Sequence, residues 1–179
     1  MLHMPVDREF AEDNDMVAFL SPYQLESLAF AVNTDKLGND PTLAAFAEQP
    51  IGVELDTLSD FYLLRALNGQ LAGSIRHYKT VAEAIAGLKA GEVSGVMGPR
   101  GELEGQLADK PANLAVRQMT TPGLQRGTWA MGLAVKARYQ DLAGELDKIM
   151  AEMVKEGVIE AIFTRYGVTY TPPAAAPAS

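Results

Sequence analysis

Cysteine is absent from this chain, which removes disulfides, thiolate metal ligands and thiol nucleophiles and leaves the redox compartment open. Histidine is scarce. His3 and His77 are the only two, and neither has an acid or hydroxyl partner at a spacing that resembles a catalytic triad. No apolar run approaches the roughly 18 residues needed to cross a bilayer. The opening "MLHMPVDREF" has neither the basic start nor the apolar core of a signal peptide, so no export address is expected in the chain as given. Positive charge is in the minority: 15 Lys and Arg against 23 Asp and Glu give a formal net charge of −8. That balance leaves no basic stripe for non-specific nucleic-acid binding, although it permits a local basic pocket. A Walker lysine is missing from "GPRGELEG", and the acidic residues at 9, 12, 13 and 15 lack the order of a calcium loop.

What is present is globular. The 179 residues are 47% apolar and 21% charged, enough for one domain or two small lobes with a real core. The most informative stretch is Ile51 to Gly69, "IGVELDTLSDFYLLRALNG", which reads as strand, tight turn and helix. Thr57 and Asp60 form the S/T-x-x-D/E capping pattern, and Leu58, Phe61, Tyr62 and Leu67 share one expected helical face. A turn between a strand's carboxyl end and a helix's amino end has unpartnered N–H groups and a favourable dipole, so it can receive an anion. On the turn alone, a helix cap and nothing more is the better-supported reading of Thr57.

The flanking sequence extends the pattern. "MVAFL" (16–20) and "LAFAV" (28–32) read as strands, and Pro41 opens a short helix through Ala47. "SIRHY" is a strand. "TVAEAIAGLKAG" is a helix with a capping box at Thr80 and Glu83 and a stop at Gly91. "VSGVMG" is a strand, "PRGELEGQLAD" a short helix and "NLAVRQM" a further strand. The order βαβαβαβ predicts an α/β fold with a mostly parallel sheet flanked by helices. "TWAMGLAVK" is one more strand. Leu142, Leu146, Ile149, Met150 and Met153 mark one helix, and Val158, Ile159, Ile162, Phe163 and Tyr166 another. The small, proline-rich end "TPPAAAPAS" is expected to be disordered or a linker.

Taken together, "MVAFLSPY", "LAFAVN", "IGVELDTLSDFYL", "YKTVAEAIAGLKAGEVSGVMG", "WAMGLAVK" and "LDKIMAEMVKEGVIEAIFTRYG" resemble, over about residues 16–168, the later part of a periplasmic solute-binding protein of the amino-acid-binding type. This is the bacterial extracellular solute-binding protein family 3. The resemblance implies the type II periplasmic-binding fold, with one complete lobe and part of a second. It assigns residues 1–35 to a partial first lobe and crossover and 36–124 to a complete second α/β lobe. Residues 125–168 become the return crossover and C-terminal helices of the first lobe, with 169–179 a tail. It further implies a non-catalytic, periplasmic module of an ABC-type uptake system, clamping a small polar or anionic solute between its lobes and delivering it to a membrane permease. No cofactor or metal is expected. A dehydratase sharing this fold would need an acid/base pair, which is not visible.

Site residues follow from the resemblance position by position. The family's turn of glycine and hydroxyl residues matches Asp56, Thr57 and Leu58, with Ser59 next. The family's ammonium-binding aspartate matches Gly98, followed by Pro99 and Arg100. Loss of that acid puts an ordinary α-amino-acid ligand in doubt. Arg8 is the candidate for the first-lobe arginine, at a poor spacing. Tyr23 falls at the family's "PY" and reads as a cleft wall or a packed crossover residue. Arg126 and Trp129 lie near the second crossover, with Trp129 alternatively a core anchor. The opening and the altered pocket also resemble a subgroup that accompanies periplasmic quinoprotein alcohol dehydrogenases. On that alternative the protein is an accessory or interaction partner of such a dehydrogenase, with solute binding lost or altered. A partial lobe would expose apolar area, so dimerisation, strand exchange or poor solubility is expected.

Overall fold

The computed structural model describes residues 2–6, 15–109 and 111–173. It divides into two compact units: Ser27–Gly127, and a discontinuous one made of Met1–Glu26 with Thr128–Ser179. Arg8 and the acidic positions 9, 12 and 13 lie outside the described residues.

In the 27–127 unit, β3 (Gln24–Asn33), β4 (Ile51–Glu54), β5 (Ile75–Tyr78), β6 (Gly95–Pro99) and β7 (Leu114–Arg117) form one sheet in the order β7-β3-β6-β4-β5. β4 runs parallel to both β5 and β6, with Ile51 opposite Ile75 on one side and Gly95 on the other. The expected βαβ units therefore form. The expected fourth parallel neighbour does not, because β3 enters antiparallel between β6 and β7. Nothing in the local pattern of "NLAVRQM" distinguishes a parallel neighbour from an antiparallel one, since both bury the same apolar residues.

The helices follow from their caps. α1 (Thr34–Leu37) starts where Asn33 Oδ1 accepts the N–H groups of Asp35 and Lys36. The expected helix after Pro41 is a 3₁₀ segment, Leu43–Ala47. α2 (Leu58–Gly69) is capped by Thr57. α3 (Val81–Ala90) has a shifted capping box: the Glu83 N–H donates to Thr80 Oγ1 (3.1 Å), while Glu83 Oε2 accepts the N–H of Lys79, the residue before the cap (3.1 Å). It stops at Gly91, whose φ of 78° is the left-handed C-terminal geometry that glycine adopts without penalty. α4 (Arg100–Gln106) follows β6 directly.

The core lies on both faces of the sheet. Ala29 and Ala31 of β3 and Val96 of β6 pack with Val81, Ala84, Ile85 and Leu88 of α3 and with Leu103 of α4. The alternate β3 residue Phe30 faces the other way and stacks on Phe46, ring centroids 6.2 Å apart, both fully buried.

In the discontinuous unit, β8 (Thr128–Lys136) pairs antiparallel with β1 (Leu2–Pro5) and β2 (Val17–Phe19). α5 (Gln140–Lys155) and α6 (Val158–Arg165), separated by Gly157 at φ 75°, pack on one another. Leu20, Val135 and Ala143 form the buried core of this unit, while Leu142, Ile149, Val158, Ile162 and Tyr166 remain exposed. The Gln24 side chain, fully buried, donates to the Thr169 carbonyl and accepts the Thr171 N–H (2.9 Å), and Phe163 packs on Tyr170. Those bonds hold residues 169–171 in place. Residues 174–179 lie outside the described residues.

Candidate functional site

The sheet order of the 27–127 unit locates its natural crevice. The chain passes from β4 outward to β5, then returns across β4 to β6, so consecutive connections leave β4 in opposite directions. In open α/β sheets ligands collect at the carboxyl ends of the strands at such a reversal. The β4 carboxyl end leads into the 54–60 turn, and that of β6 into Pro99 and Arg100. The register that sets Val53 opposite Met97 makes the two ends neighbours. Asp56, Thr57 and Ser59 follow the β4 end, and Gly98 and Arg100 lie at the β6 end.

The turn is closed by its own bonds. The Thr57 hydroxyl donates to the Glu54 carbonyl (2.8 Å), and Thr57 Oγ1 accepts the Asp60 N–H at a longer 3.4 Å. Asp56 sits at φ 61°, a left-handed geometry that Asp tolerates better than most side chains, and its N–H donates to Asp60 Oδ2 (3.1 Å). The other carboxylate oxygen of Asp60 meets His77 Nε2 at 2.9 Å. The capping pattern therefore forms with a shift: Asp60 reaches the residue before the cap and also binds a histidine from β5. Ser59 is buried and Asp56 is exposed. Glu54, Asp56 and Asp60 give the turn an acidic character that the hydroxyls alone did not suggest.

Gly98 pairs with Ala29 of β3, and a Cβ built on it would meet Val81 at 3.5 Å and Leu103 at 3.6 Å. A side chain at this position would point toward the apolar cluster under α3 and α4. Arg100 opens α4 and is half-buried. Tyr23 and Trp129 belong to the discontinuous unit. The Tyr23 N–H donates to the Met131 carbonyl (2.9 Å), and burial pushes its hydroxyl above the ordinary tyrosine value. Trp129 is half-buried, with its Nε1–H directed to the Met131 sulfur (3.0 Å).

The helix face on α2 differs from expectation. Ser59, Tyr62, Leu63 and Ala66 are buried, whereas Leu58 and Phe61 are 46% and 50% exposed. The buried stripe is displaced because Asp60, held by Asp56 and His77, turns inward. Helical geometry also breaks early: Ala66 has ψ 144°, and Leu67 and Asn68 have φ 51° and 57°. Leu58, Phe61, Arg65 and the segment at the break line an open groove of about 800 Å³ with Pro122 to Arg126. The Tyr62 hydroxyl donates to the Pro122 carbonyl (3.3 Å), tying the two walls together. Arg126 thus stands in this groove, beside α2. The sequence pattern gave a helix unbroken through Leu67 and carried no signal for the break or the groove.

Among the described residues no group of three or more His, Asp or Glu could hold a metal ion. No helix among them is long and apolar enough to cross a membrane.

These features define an α/β protein of the type II periplasmic-binding architecture. The fold matches an ancestral cationic amino-acid solute-binding protein with a TM-score of 0.71 over 92% of this chain and 66% of the other, at 16% identity. It also matches an amino-acid ABC-transporter substrate-binding protein of Streptococcus pneumoniae bound to L-arginine, with TM-score 0.69 at 19% identity over 94% and 67% of the two chains. A third match is the GluR0 ligand-binding core in complex with L-glutamate, with TM-score 0.65 at 19% identity over 92% and 69%. The chain thus spans about two-thirds of the length of each structure. No protein-family profile matches the sequence, and no curated protein matches it.

Proposed function

We propose that the protein is a non-catalytic solute-binding module serving an ABC-type permease on the periplasmic side, taking a small polar or anionic solute beside the 54–60 turn. The observation that supports this reading is the topological reversal at β4, which sets the carboxyl ends of β4 and β6 side by side in a fold seen elsewhere with L-arginine and L-glutamate bound; Thr57, Ser59 and Arg100 are the proposed contacts there. Arg100 is the proposed anion partner and the α2 amino end the proposed dipole contact. The exposed apolar residues of α5 and α6 support self-association as part of the same reading.

A second reading has its own support. The Thr57 hydroxyl is bonded on both sides within the turn, and position 98 carries glycine over an apolar cluster. Those features favour an accessory protein of a periplasmic enzyme, such as a quinoprotein dehydrogenase, in which solute binding is lost or altered.

A thermal-shift screen against amino acids, small carboxylates and alcohol-derived acids separates the two. A solute at a hundred times its Kd stabilises by about 2.7 kcal/mol. A hit that disappears in Arg100→Ala, with the variant still cooperatively folded, supports the first reading. Silence across the panel from a folded protein overturns it and favours the second.

A further inference from the structure

α2 is apolar on the side that meets solvent as well as on the side that packs inward. Tyr62, Leu63 and Ala66 are buried, and the exposed positions of its first two turns are Leu58, Phe61, Leu64 and Arg65. Among the described residues of the 27–127 unit, the exposed large apolar side chains are Leu55, Leu58, Phe61 and Leu64, all within positions 55–64. A helix that is apolar around most of its circumference belongs in a buried setting, because contiguous apolar surface of this kind is costly in water.

The spacing of these residues indicates what covers them. Leu58, Phe61 and Leu64 recur every three positions and are symmetric about Phe61. A two-fold axis beside Phe61 and perpendicular to α2 sets two copies antiparallel, with Leu58 of one against Leu64 of the other and the two Phe61 rings at the centre. Charge follows the same symmetry. Asp56 is exposed five positions before Phe61 and Arg65 is exposed four positions after it. Antiparallel pairing brings Asp56 of each copy toward Arg65 of the other and opposes the helix dipoles favourably, whereas parallel pairing sets like charges together. The adjoining groove of about 800 Å³, lined in part by Leu67, Pro122 and Leu124, gives the other copy's side chains room to enter.

We propose that the exposed face of α2 is a self-association surface on which two copies of this chain pair antiparallel about Phe61. It is a second contact, carried by the 27–127 unit, whereas the exposed face of α5 and α6 belongs to the discontinuous unit. It borders the 54–60 turn, so pairing is measured without added solute and its outcome is independent of the solute reading.

The test uses the full chain carrying Ile149→Glu and Ile162→Glu, which breaks the α5–α6 face with charge. Sedimentation equilibrium should show a concentration-dependent step from one chain to two. Phe61→Ser should raise the dissociation constant at least tenfold while the protein still unfolds cooperatively, and Arg65→Glu should raise it by a similar factor. Asp56→Asn keeps a residue tolerant of the left-handed turn and should remove most of the further loss caused by Arg65→Glu, because the repelling acid is gone. The chain has no cysteine, so introduced thiols report the register in the otherwise unaltered protein. Under mild oxidation, an isotope-labelled Leu58→Cys chain should join a Leu64→Cys chain faster than either variant joins itself. An unchanged constant in Phe61→Ser, an Arg65→Glu loss that Asp56→Asn does not reduce, or thiol variants that join themselves as fast as they join each other would each overturn the proposal. A folded protein that keeps one chain's mass at every concentration in the Ile149→Glu, Ile162→Glu background would also overturn it and assign the face to a different protein.

Discussion

His77 Nε2 lies 2.9 Å from Asp60 Oδ1, joining the edge strand β5 to the first turn of α2. Asp60 is almost wholly buried, with 3% of its side chain exposed, while His77 is 39% exposed. The carboxylate satisfies the Asp56 N–H with its other oxygen, so one side chain holds both the left-handed turn and the helix start. Asp60→Ala should destabilise the protein by about 1–3 kcal/mol, because a buried carboxylate that bonds both the Asp56 N–H and His77 is removed. His77→Ala should cost less, because Asp60 keeps its bond to the Asp56 N–H and removal of the partly exposed ring lets water reach its other oxygen. Urea denaturation of the two variants checks the order, and equal losses would contradict it.

Gly95 tests the packing beneath the same sheet. A Cβ built there would meet the Phe46 ring at 2.7 Å and the Ala31 carbonyl at 3.2 Å. Phe46 is fully buried against Phe30 and has no free space into which to swing. Gly95→Ala should therefore destabilise by about 1–3 kcal/mol through overpacking, read as a lower denaturation midpoint with unchanged slope.

The exposed face of α5 and α6 is expected to associate. Leu142, Ile149, Val158, Ile162 and Tyr166 together present more apolar surface than scattered single residues would. Light scattering across a concentration series should show mass rising above that of one chain. Ile149→Glu with Ile162→Glu should return it toward 19.2 kDa. A wild-type protein that stays monodisperse at one chain's mass would remove this expectation.

Alkaline pH gives a fourth check. Burial raises the tyrosine hydroxyls of Tyr23 and Tyr62 above the ordinary value of 10.0. A tyrosine raised in the folded state keeps its proton longer there than in the unfolded chain. Its contribution is complete below about pH 10 and is lost as pH climbs through the folded value. Stability should thus fall with rising pH above about 10, and Tyr23→Phe should make that fall shallower. Denaturation midpoints measured on both sides of that pH decide it.

Much of the fold was legible because its signals are local. Thr80 caps α3 through the Glu83 N–H as their spacing implies, Gly91 takes the left-handed stop, and Gly157 separates the last two helices. The site was legible only in part. Thr57 caps α2 as expected, but its hydroxyl is drawn into the turn by the Glu54 carbonyl, and the cap depends on an inward Asp60 that periodicity had not separated from the exposed face. His77 had no visible partner along the sequence. Its acid is 17 residues away and arrives only through the parallel pairing of β4 with β5.

The sequence by itself determined the element order, the caps and the alternation that commits residues 51–106 to an α/β unit. These depend on contacts within a few residues, where composition and spacing are sufficient. Only the tertiary structure decided that β3 enters antiparallel between β6 and β7, that Asp60 meets His77, and that α2 breaks at Ala66 to open a groove beside Arg126. Each of those depends on which distant strand or loop supplies the partner, and strand pairing and helix breaks are settled by packing across the whole sheet rather than by local propensity.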